Sequence, residues 1–199
     1  MRVGLMGGTF DPIHLGHLIA AEESRGQLAL DKLLFLPTGA PPHKEMDEVS
    51  ETRHRVRMVE LAIASNPCFE LSMVDAERRG RSYTVDTVEI FRERLGPGAE
   101  LFFMIGMDSL ADLLSWREPA RLISLCRLAV VNRPPFHTVK LEELEARLPG
   151  VSSRVEMVRM PDIGISSRDL RERAARGMSI KYMVPEAVEH YILESGLYR

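Results

Sequence analysis

Six short apolar runs punctuate the chain, at Arg2–Met6, Lys32–Leu36, Phe69–Val74, Glu100–Ile105, Arg127–Val131 and Arg154–Val158. Each has the length of a buried strand and is bounded by turn or helix signals. Helical periodicity fills the intervals, at about Leu15–Leu28, Glu51–Ser65, Tyr83–Leu95, Leu110–Leu114, Pro119–Ser124, Leu141–Arg147, Ser167–Arg176 and Pro185–Ser195. Strands alternating with helices predict an α/β fold, a doubly wound parallel sheet with right-handed crossovers and helices on both faces. In such a sheet a ligand sits at the C-terminal ends of the strands, where the strand order switches direction. The stretch Pro37–Ser50, with Pro41-Pro42 and mixed charge, is the most linker-like. Its place after a strand reads better as a long active-site loop than as a domain boundary.

Composition narrows the class. The 199 residues, 45% hydrophobic and 28% charged, suit one domain spanning 1–199, with a helical C-terminal part from about 166–199. A formal net charge of −3 gives no overall positive field to recruit nucleic acid. The longest basic cluster, Glu77-Arg78-Arg79-Gly80-Arg81, is short and reads as a solvated turn. Cys68 and Cys126 are far apart and both open apolar runs, so buried reduced thiols are expected rather than a disulfide or a metal site. No apolar run approaches the roughly 20 residues of a membrane span, and no signal-peptide pattern opens the sequence. A cytoplasmic protein without membrane or nucleic-acid partners is the expectation, and a homo-oligomer is compatible with it.

The chemistry concentrates just after the first run, in Gly7-Gly8-Thr9-Phe10-Asp11-Pro12-Ile13-His14-Leu15-Gly16-His17. This is a strand-to-helix turn, where the first amides of a helix and its dipole favour an anion. Two glycines admit a ligand close to the backbone and Pro12 stiffens the loop. His14 and His17 stand three apart across the helix start, so both imidazoles can face what the amides hold. A zinc site wants three or four protein ligands and usually a second-shell partner, and Asp11 is the only other candidate near this pair, so no metal ligand is assigned. The turn is neither Gly-x-Gly-x-x-Gly nor Gly-x(4)-Gly-Lys-Ser/Thr, which removes the dinucleotide-binding and P-loop readings.

Five further features fall at strand ends or helix starts. Pro37-Thr38-Gly39-Ala40-Pro41-Pro42-His43-Lys44 delivers His43 and Lys44 to the edge that carries His14, or leaves a solvated lysine in a proline loop. In Ser82-Tyr83-Thr84-Val85-Asp86-Thr87, Ser82 or Thr84 can cap the next helix, or the same helix start can hold a small carboxylate. Gly106-Met107-Asp108-Ser109 places a carboxylate where it can accept from a ribose diol or cap a helix, and the single tryptophan, Trp116, follows in polar surroundings suited to stacking on a ring. Arg133 ends a strand as a phosphate fork or an exposed pair partner. Last, Ile165-Ser166-Ser167-Arg168-Asp169-Leu170-Arg171 opens a helix with capping-box spacing, two hydroxyls and arginines.

The ten residues Gly8 to His17, with both histidines, resemble the signature of the HxGH nucleotidyltransferase superfamily. Ile165-Ser166-Ser167-Arg168-x-x-Arg171 is similar to its second signature, with Arg168 where Thr is frequent and Ser166, Ser167 and Arg171 matched. Pro41-Pro42-His43-Lys44, Ser82-Tyr83-Thr84-x-Asp86-Thr87, Asp108 with Trp116, and Tyr182-Met183-Val184-Pro185 resemble the nicotinate mononucleotide adenylyltransferases within it, over nearly the whole chain. The resemblance implies a Rossmann-like sheet of the nucleotidyltransferase type. It also implies transfer of the adenylyl group of ATP to nicotinate mononucleotide, giving deamido-NAD and pyrophosphate, with Mg²⁺ brought by ATP. It assigns His14, His17, Lys44 and Arg171 to catalysis, and Gly7, Gly8, Thr9, Phe10, Gly106, Asp108, Ile165, Ser166 and Ser167, with the two histidines and Arg171, to ATP. His43, Lys44, Ser82, Tyr83, Thr84, Trp116 and Arg133 go to the mononucleotide. Pantetheine-phosphate adenylyltransferase shares the histidine turn but not the Pro-Pro-His-Lys and Ser-Tyr-Thr segments. A nucleotide-binding module without turnover is the rival outside enzymes.

Overall fold

The computed structural model describes residues 1–39, 49–78, 80, 82–132 and 138–199. His43, Lys44 and Arg133, together with Arg79 and Arg81, therefore lie outside the described residues.

Six strands form one sheet in which every pairing is parallel: β1 (Arg2–Gly8), β2 (Lys32–Pro37), β3 (Phe69–Leu71), β4 (Glu100–Gly106), β5 (Arg127–Val131) and β6 (Val155–Val158). Their spatial order is β3-β2-β1-β4-β5-β6, so the chain winds one way from β1 to β3 and the other way from β4 to β6. The strands alternate strictly between two cores, as a period of two requires. In β4, Phe102 and Met104 face one side while Leu101, Phe103 and Ile105 face the other. In β2, Leu33 and Phe35 oppose Leu34 and Leu36 in the same way. Both faces are apolar because both are covered, which is why these strands read as continuous hydrophobic runs.

The helices divide between the faces. Helices α1 (Leu15–Gln27), α2 (Thr52–Ile63), α7 (Ser167–Ala175) and α8 (Glu186–Glu194) pack Ala20, Ala21, Met58, Val59, Leu170, Val188 and Ile192 onto the first. Helices α3 (Thr84–Leu95), α4 (Met107–Ala111), α5 (Pro119–Leu125) and α6 (Leu141–Arg147) pack Val85, Val88, Phe91, Leu110, Leu122 and Leu144 onto the second. The C-terminal helices α7 and α8 thus pack onto the first face. Helix α3 stops at Gly96, whose φ of 73° lies in the left-handed region and lets its N–H return to the Arg92 carbonyl.

Two element boundaries and one exposure depart clearly from the sequence reading. The third strand ends at Leu71 rather than Val74. It is an edge strand whose sole neighbour, β2, runs into Pro37 and cannot extend the ladder there. The short helix expected at Leu110–Leu114 begins earlier, directly off β4 at Met107, and a separate 3-10 turn follows at Leu113–Ser115. Arg78, expected on a solvated turn, is mostly buried and lies 3.4 Å from Asp75 and 3.7 Å from Asp86. Cys126 is buried and uncrosslinked, and burial pushes its thiol up to about 12, so it stays protonated. Cys68 is half-buried and also free. Among the described residues no helix is long and apolar enough to cross a membrane.

Candidate active site at the switch point

A cavity of about 170 Å³ opens where β1 and β4 diverge. Met6 and Gly7 come from the end of β1, Met104 to Gly106 from the end of β4, and Val131 from the end of β5. The first turn of α1 contributes His14, Gly16 and His17, and α4 contributes Asp108 and Ser109. Met160, Ile163 and Ile165, from the segment leading into α7, close it. The walls are mostly apolar, and the polar groups converge from two helix starts, as expected of a small-molecule site in this fold.

The two histidines form a unit. His14 is the N-cap of α1 and is 1% exposed. Its backbone N–H donates to Nδ1 of His17 at 3.2 Å. An Nδ1 that accepts leaves a neutral imidazole its proton on Nε2, so His17 presents a donor there. The rings stack with centroids 3.7 Å apart, and Phe10 meets His17 edge-on at 5.2 Å. Phe10 is itself 2% exposed and packs on Phe35, so it supports His17 from within the core and does not line the cavity. Gly8 touches the same arrangement, for a Cβ there would sit 2.9 Å from the Phe10 ring.

The turn between β1 and α1 is pinned on every side. The Asp11 carboxylate, 1% exposed, accepts the Tyr198 hydroxyl at 2.6 Å and the Ser50 N–H at 3.1 Å. Burial, and then the Asp11 charge, pushes the Tyr198 phenol far above its ordinary value, so it remains a donor. Arg171 donates through Nη1 to the Asp11 carbonyl at 2.7 Å, and Ser167 donates its hydroxyl to the Pro12 carbonyl at 2.9 Å. The Leu15 N–H, one of the orphan amides of α1, reaches the Met183 carbonyl at 2.9 Å. From α2, Arg55 donates to the Thr9 carbonyl at 2.9 Å. Ser167 and Arg171 are therefore brought to the histidine turn, and each commits a donor to its backbone. Ser166 caps α7 by accepting the Asp169 N–H at 3.1 Å, which is the capping role its spacing predicted.

The start of α3 forms a second polar region at the same end of the sheet. Its N-cap is Tyr83 rather than Ser82 or Thr84, and no side chain completes the cap. Thr84 is the first helical residue. Arg117 lies 4.7 Å over the Tyr83 ring and 4.0 Å from Asp86. Thr87, 1% exposed, donates to Asp75 Oδ1 at 2.7 Å. Burial pushes the Asp75 carboxyl above the usual carboxylate range, and the Thr87 hydroxyl and Arg78 pull it back. The Gly39 N–H donates to the Asp75 carbonyl at 3.1 Å, which ties this region to the end of β2. Trp116 is half-buried against the second core rather than standing in polar surroundings. None of Ser82, Tyr83, Thr84 and Trp116 lines the cavity. Asp108 does, exposed in the first turn of α4, while the cap of that helix is Gly106.

Sequence reasoning missed Met6, Met104, Val131, Met160 and Ile163 as walls, because an apolar residue at a strand end or in a connection carries the same signal whether it meets core or ligand. It also missed Arg55 and Tyr198, whose partners are remote in the chain. Among the described residues no three His, Cys, Asp or Glu side chains converge as a metal site.

Comparison with known proteins accords with this geometry. The cytidylyltransferase-like family model matches residues 5–173. The chain is 46% identical to a probable nicotinate-nucleotide adenylyltransferase of Moorella thermoacetica, covering 100% of this chain and 92% of that protein. It is likewise 46% identical to one from Thermomicrobium roseum, over 100% and 92%. A solved structure of Plasmodium falciparum nicotinic acid mononucleotide adenylyltransferase complexed with NaAD superposes with a TM-score of 0.80 at 21% identity, covering 99% of this chain and 97% of that one, a likeness of fold. By its family match and its full-length relatives, the chain belongs to the nicotinate-nucleotide adenylyltransferase family of cytidylyltransferase-like enzymes.

Proposed function

We propose that this enzyme transfers the adenylyl group of ATP to nicotinate mononucleotide, giving nicotinate adenine dinucleotide and pyrophosphate, a step of NAD biosynthesis. The observation that carries it is the stacked His14–His17 pair at the start of α1, inside the switch-point cavity of a chain of this family. An oxygen of the mononucleotide phosphate attacks the α-phosphorus of ATP. The new O–P bond forms as the bond to the β-phosphate oxygen breaks, and pyrophosphate leaves with that electron pair. The attacking phosphate is already ionised, so the protein supplies alignment and charge stabilisation rather than a nucleophile or base.

The roles follow from what each group can donate. His17 offers Nε2–H to the triphosphate, with His14 stacked behind it and Gly7 and Gly8 admitting the phosphates close to the backbone. Gly106 and Asp108 take the ribose, Asp108 accepting from its hydroxyls. Ser166, the amide of Ser167 and the remaining donors of Arg171 face the β- and γ-phosphates from the start of α7. His43, Lys44 and Arg133 are assigned to phosphate contact by their sequence positions. The backbone at Tyr83 and Thr84 suits the pyridine carboxylate, and Trp116 the ring. A helix start adds about 0.3–1 kcal/mol for an anion, which gives severalfold preference for the acid over the amide.

The cavity offers two imidazoles and one exposed carboxylate, a poor cage for an oxygen-seeking ion and a good fit to Mg²⁺ held mainly by phosphate oxygens and water. Bound in that way, the ion supplies charge neutralisation to the triphosphate.

Pyrophosphate release with ATP and Mg²⁺, compared among nicotinate mononucleotide, nicotinamide mononucleotide and phosphopantetheine, tests the reading. Release is expected with the nicotinate substrate, and His17→Ala is expected to cut it by about 10² or more while binding persists. Equal use of acid and amide removes the carboxylate role of α3. Release with phosphopantetheine alone, or with none of the three, overturns the assignment.

A further inference from the structure

Helix α2 turns Met58, Val59, Ala62 and Ile63 into the first core, and on the same inward surface it buries Arg55, a full guanidinium that is 1% exposed. A hydrocarbon side chain would satisfy packing there, whereas a buried cation is tolerated only with its donors met. All three nitrogens are engaged. Nε donates to the Ser50 carbonyl, Nη1 to the Thr9 carbonyl, and Nη2 to the Gly39 carbonyl and Thr52 Oγ1, each at 2.9 Å. Its partners are backbone carbonyls and a hydroxyl rather than a carboxylate, and the three carbonyls belong to three separate segments. Thr9 begins the histidine turn, Gly39 follows β2, and Ser50 precedes α2.

These contacts close a ring. Ser50 gives its carbonyl to Arg55 and its N–H to Asp11 Oδ2, so the turn is held at Thr9 and again at Asp11 by groups that Arg55 fixes. Three residues on stands His14. Gly39 is held from the other side as well: its N–H donates to the Asp75 carbonyl, and the backbone packs so closely there that a Cβ would meet the Asp75 and Ala76 carbonyl oxygens at 2.9 and 3.0 Å.

We propose that Arg55 is a positioning residue for adenylyl transfer, a three-way clamp that sets the register of Thr9, Gly39 and Ser50 and thereby the placement of His14 and His17. The clamp rests on the adenylyl-transfer reading of that turn. Lysine keeps the charge but has one nitrogen and cannot replace a planar fork that reaches three directions.

The test uses Arg55→Lys and Arg55→Met in the full chain. Binding-competent sites are counted by calorimetric titration with α,β-methylene-ATP, and kcat is expressed per titrated site. We expect kcat to fall about 100-fold in both variants, the scale of a misplacement near 1 Å, with KM for either substrate moving less than about threefold. A kcat per site within about threefold of the parent, with only the number of competent sites reduced, overturns the proposal. Hydrogen exchange gives a readout independent of turnover. Peptides covering Thr9–His14 and Ser50–Arg55 should exchange faster together in Arg55→Lys while β4 keeps its protection. Exchange that quickens in one segment alone, or in β4 equally, overturns the clamp. If the parent protein releases no pyrophosphate, the adenylyl-transfer reading fails, and exchange still decides whether Arg55 couples the segments. If Arg55→Met does not fold, Arg55→Lys carries both arms.

Discussion

A Cβ at Gly16 would lie 3.0 Å from both Cε1 and Nδ1 of the His14 ring, with Ile163 next at 3.7 Å. Gly16 sits in the first turn of α1 with no positive φ, so it is not there for backbone freedom. It is there because its hydrogen leaves room for an imidazole. Gly16→Ala therefore separates two effects. Alanine gains up to about 1 kcal/mol of helix propensity over glycine, so the urea midpoint should hold or rise. The methyl group displaces His14 and the ring stacked on it, and kcat should fall by about tenfold or more. An alanine variant with parental kcat would mean that His14 placement does not matter. The histidines and glycines of this turn were readable from the sequence because their spacing is local. Arg55, Asp11 and Tyr198 were not, because nothing in the local sequence of a helical Arg or a Tyr near the chain end points to this turn. Their meaning comes from partners up to 187 residues away, as in the Tyr198–Asp11 bond.

At the scale of the element, α3 shows where local pattern reading stops. Its hydrophobic spacing gave the helix, yet Ser82 and Thr84 are both better caps than Tyr83, which holds the position. The choice is made by the buried layer beneath. Thr87 must face Asp75 for its 2.7 Å bond, Val85 and Val88 must face the second core, and the start of the helix follows. The Thr87–Asp75 pair also makes a pH-dependent prediction. Burial raises the Asp75 carboxyl, so the folded state holds its proton longer than the unfolded chain does. Its contribution to stability is thus greatest below the ordinary carboxyl value of about 3.9 and declines as pH rises through the elevated folded value. Thr87→Val removes a hydrogen bond that favours the ionised form, and should cost about 1–3 kcal/mol near neutral pH. The cost should shrink as pH falls through the folded carboxyl value, because protonated Asp75 no longer needs that donor. Urea denaturation of both at pH 4.5 and 7.5 checks this, and a difference that grows as pH falls would refute it.

The whole molecule was legible as a class because helix-strand alternation with doubly apolar strands admits few architectures, and a parallel sheet with a switch point is the simplest. Where the cavity would open followed from that topology, whereas its walls did not, since they are drawn from Met6 to Ile165. That dispersion has a thermodynamic consequence. A ligand in the cavity touches β1, α1, β4, α4, β5 and the approach to α7 at once, and only the folded chain brings these together. Binding to the native state alone adds RT ln(1 + [L]/Kd), about 2.7 kcal/mol at a hundredfold excess over Kd. For a chain of this size each kcal/mol moves Tm by about 2–4 °C. ATP with Mg²⁺ should therefore raise Tm by roughly 5–10 °C in a single transition. His17→Ala should keep most of the shift, since its Nε2 donor is assigned to charge that develops during transfer rather than to ground-state binding. A shift below about 1 °C at saturating nucleotide would place the ATP site elsewhere, and a shift lost with His17 would recast that residue as a binding group.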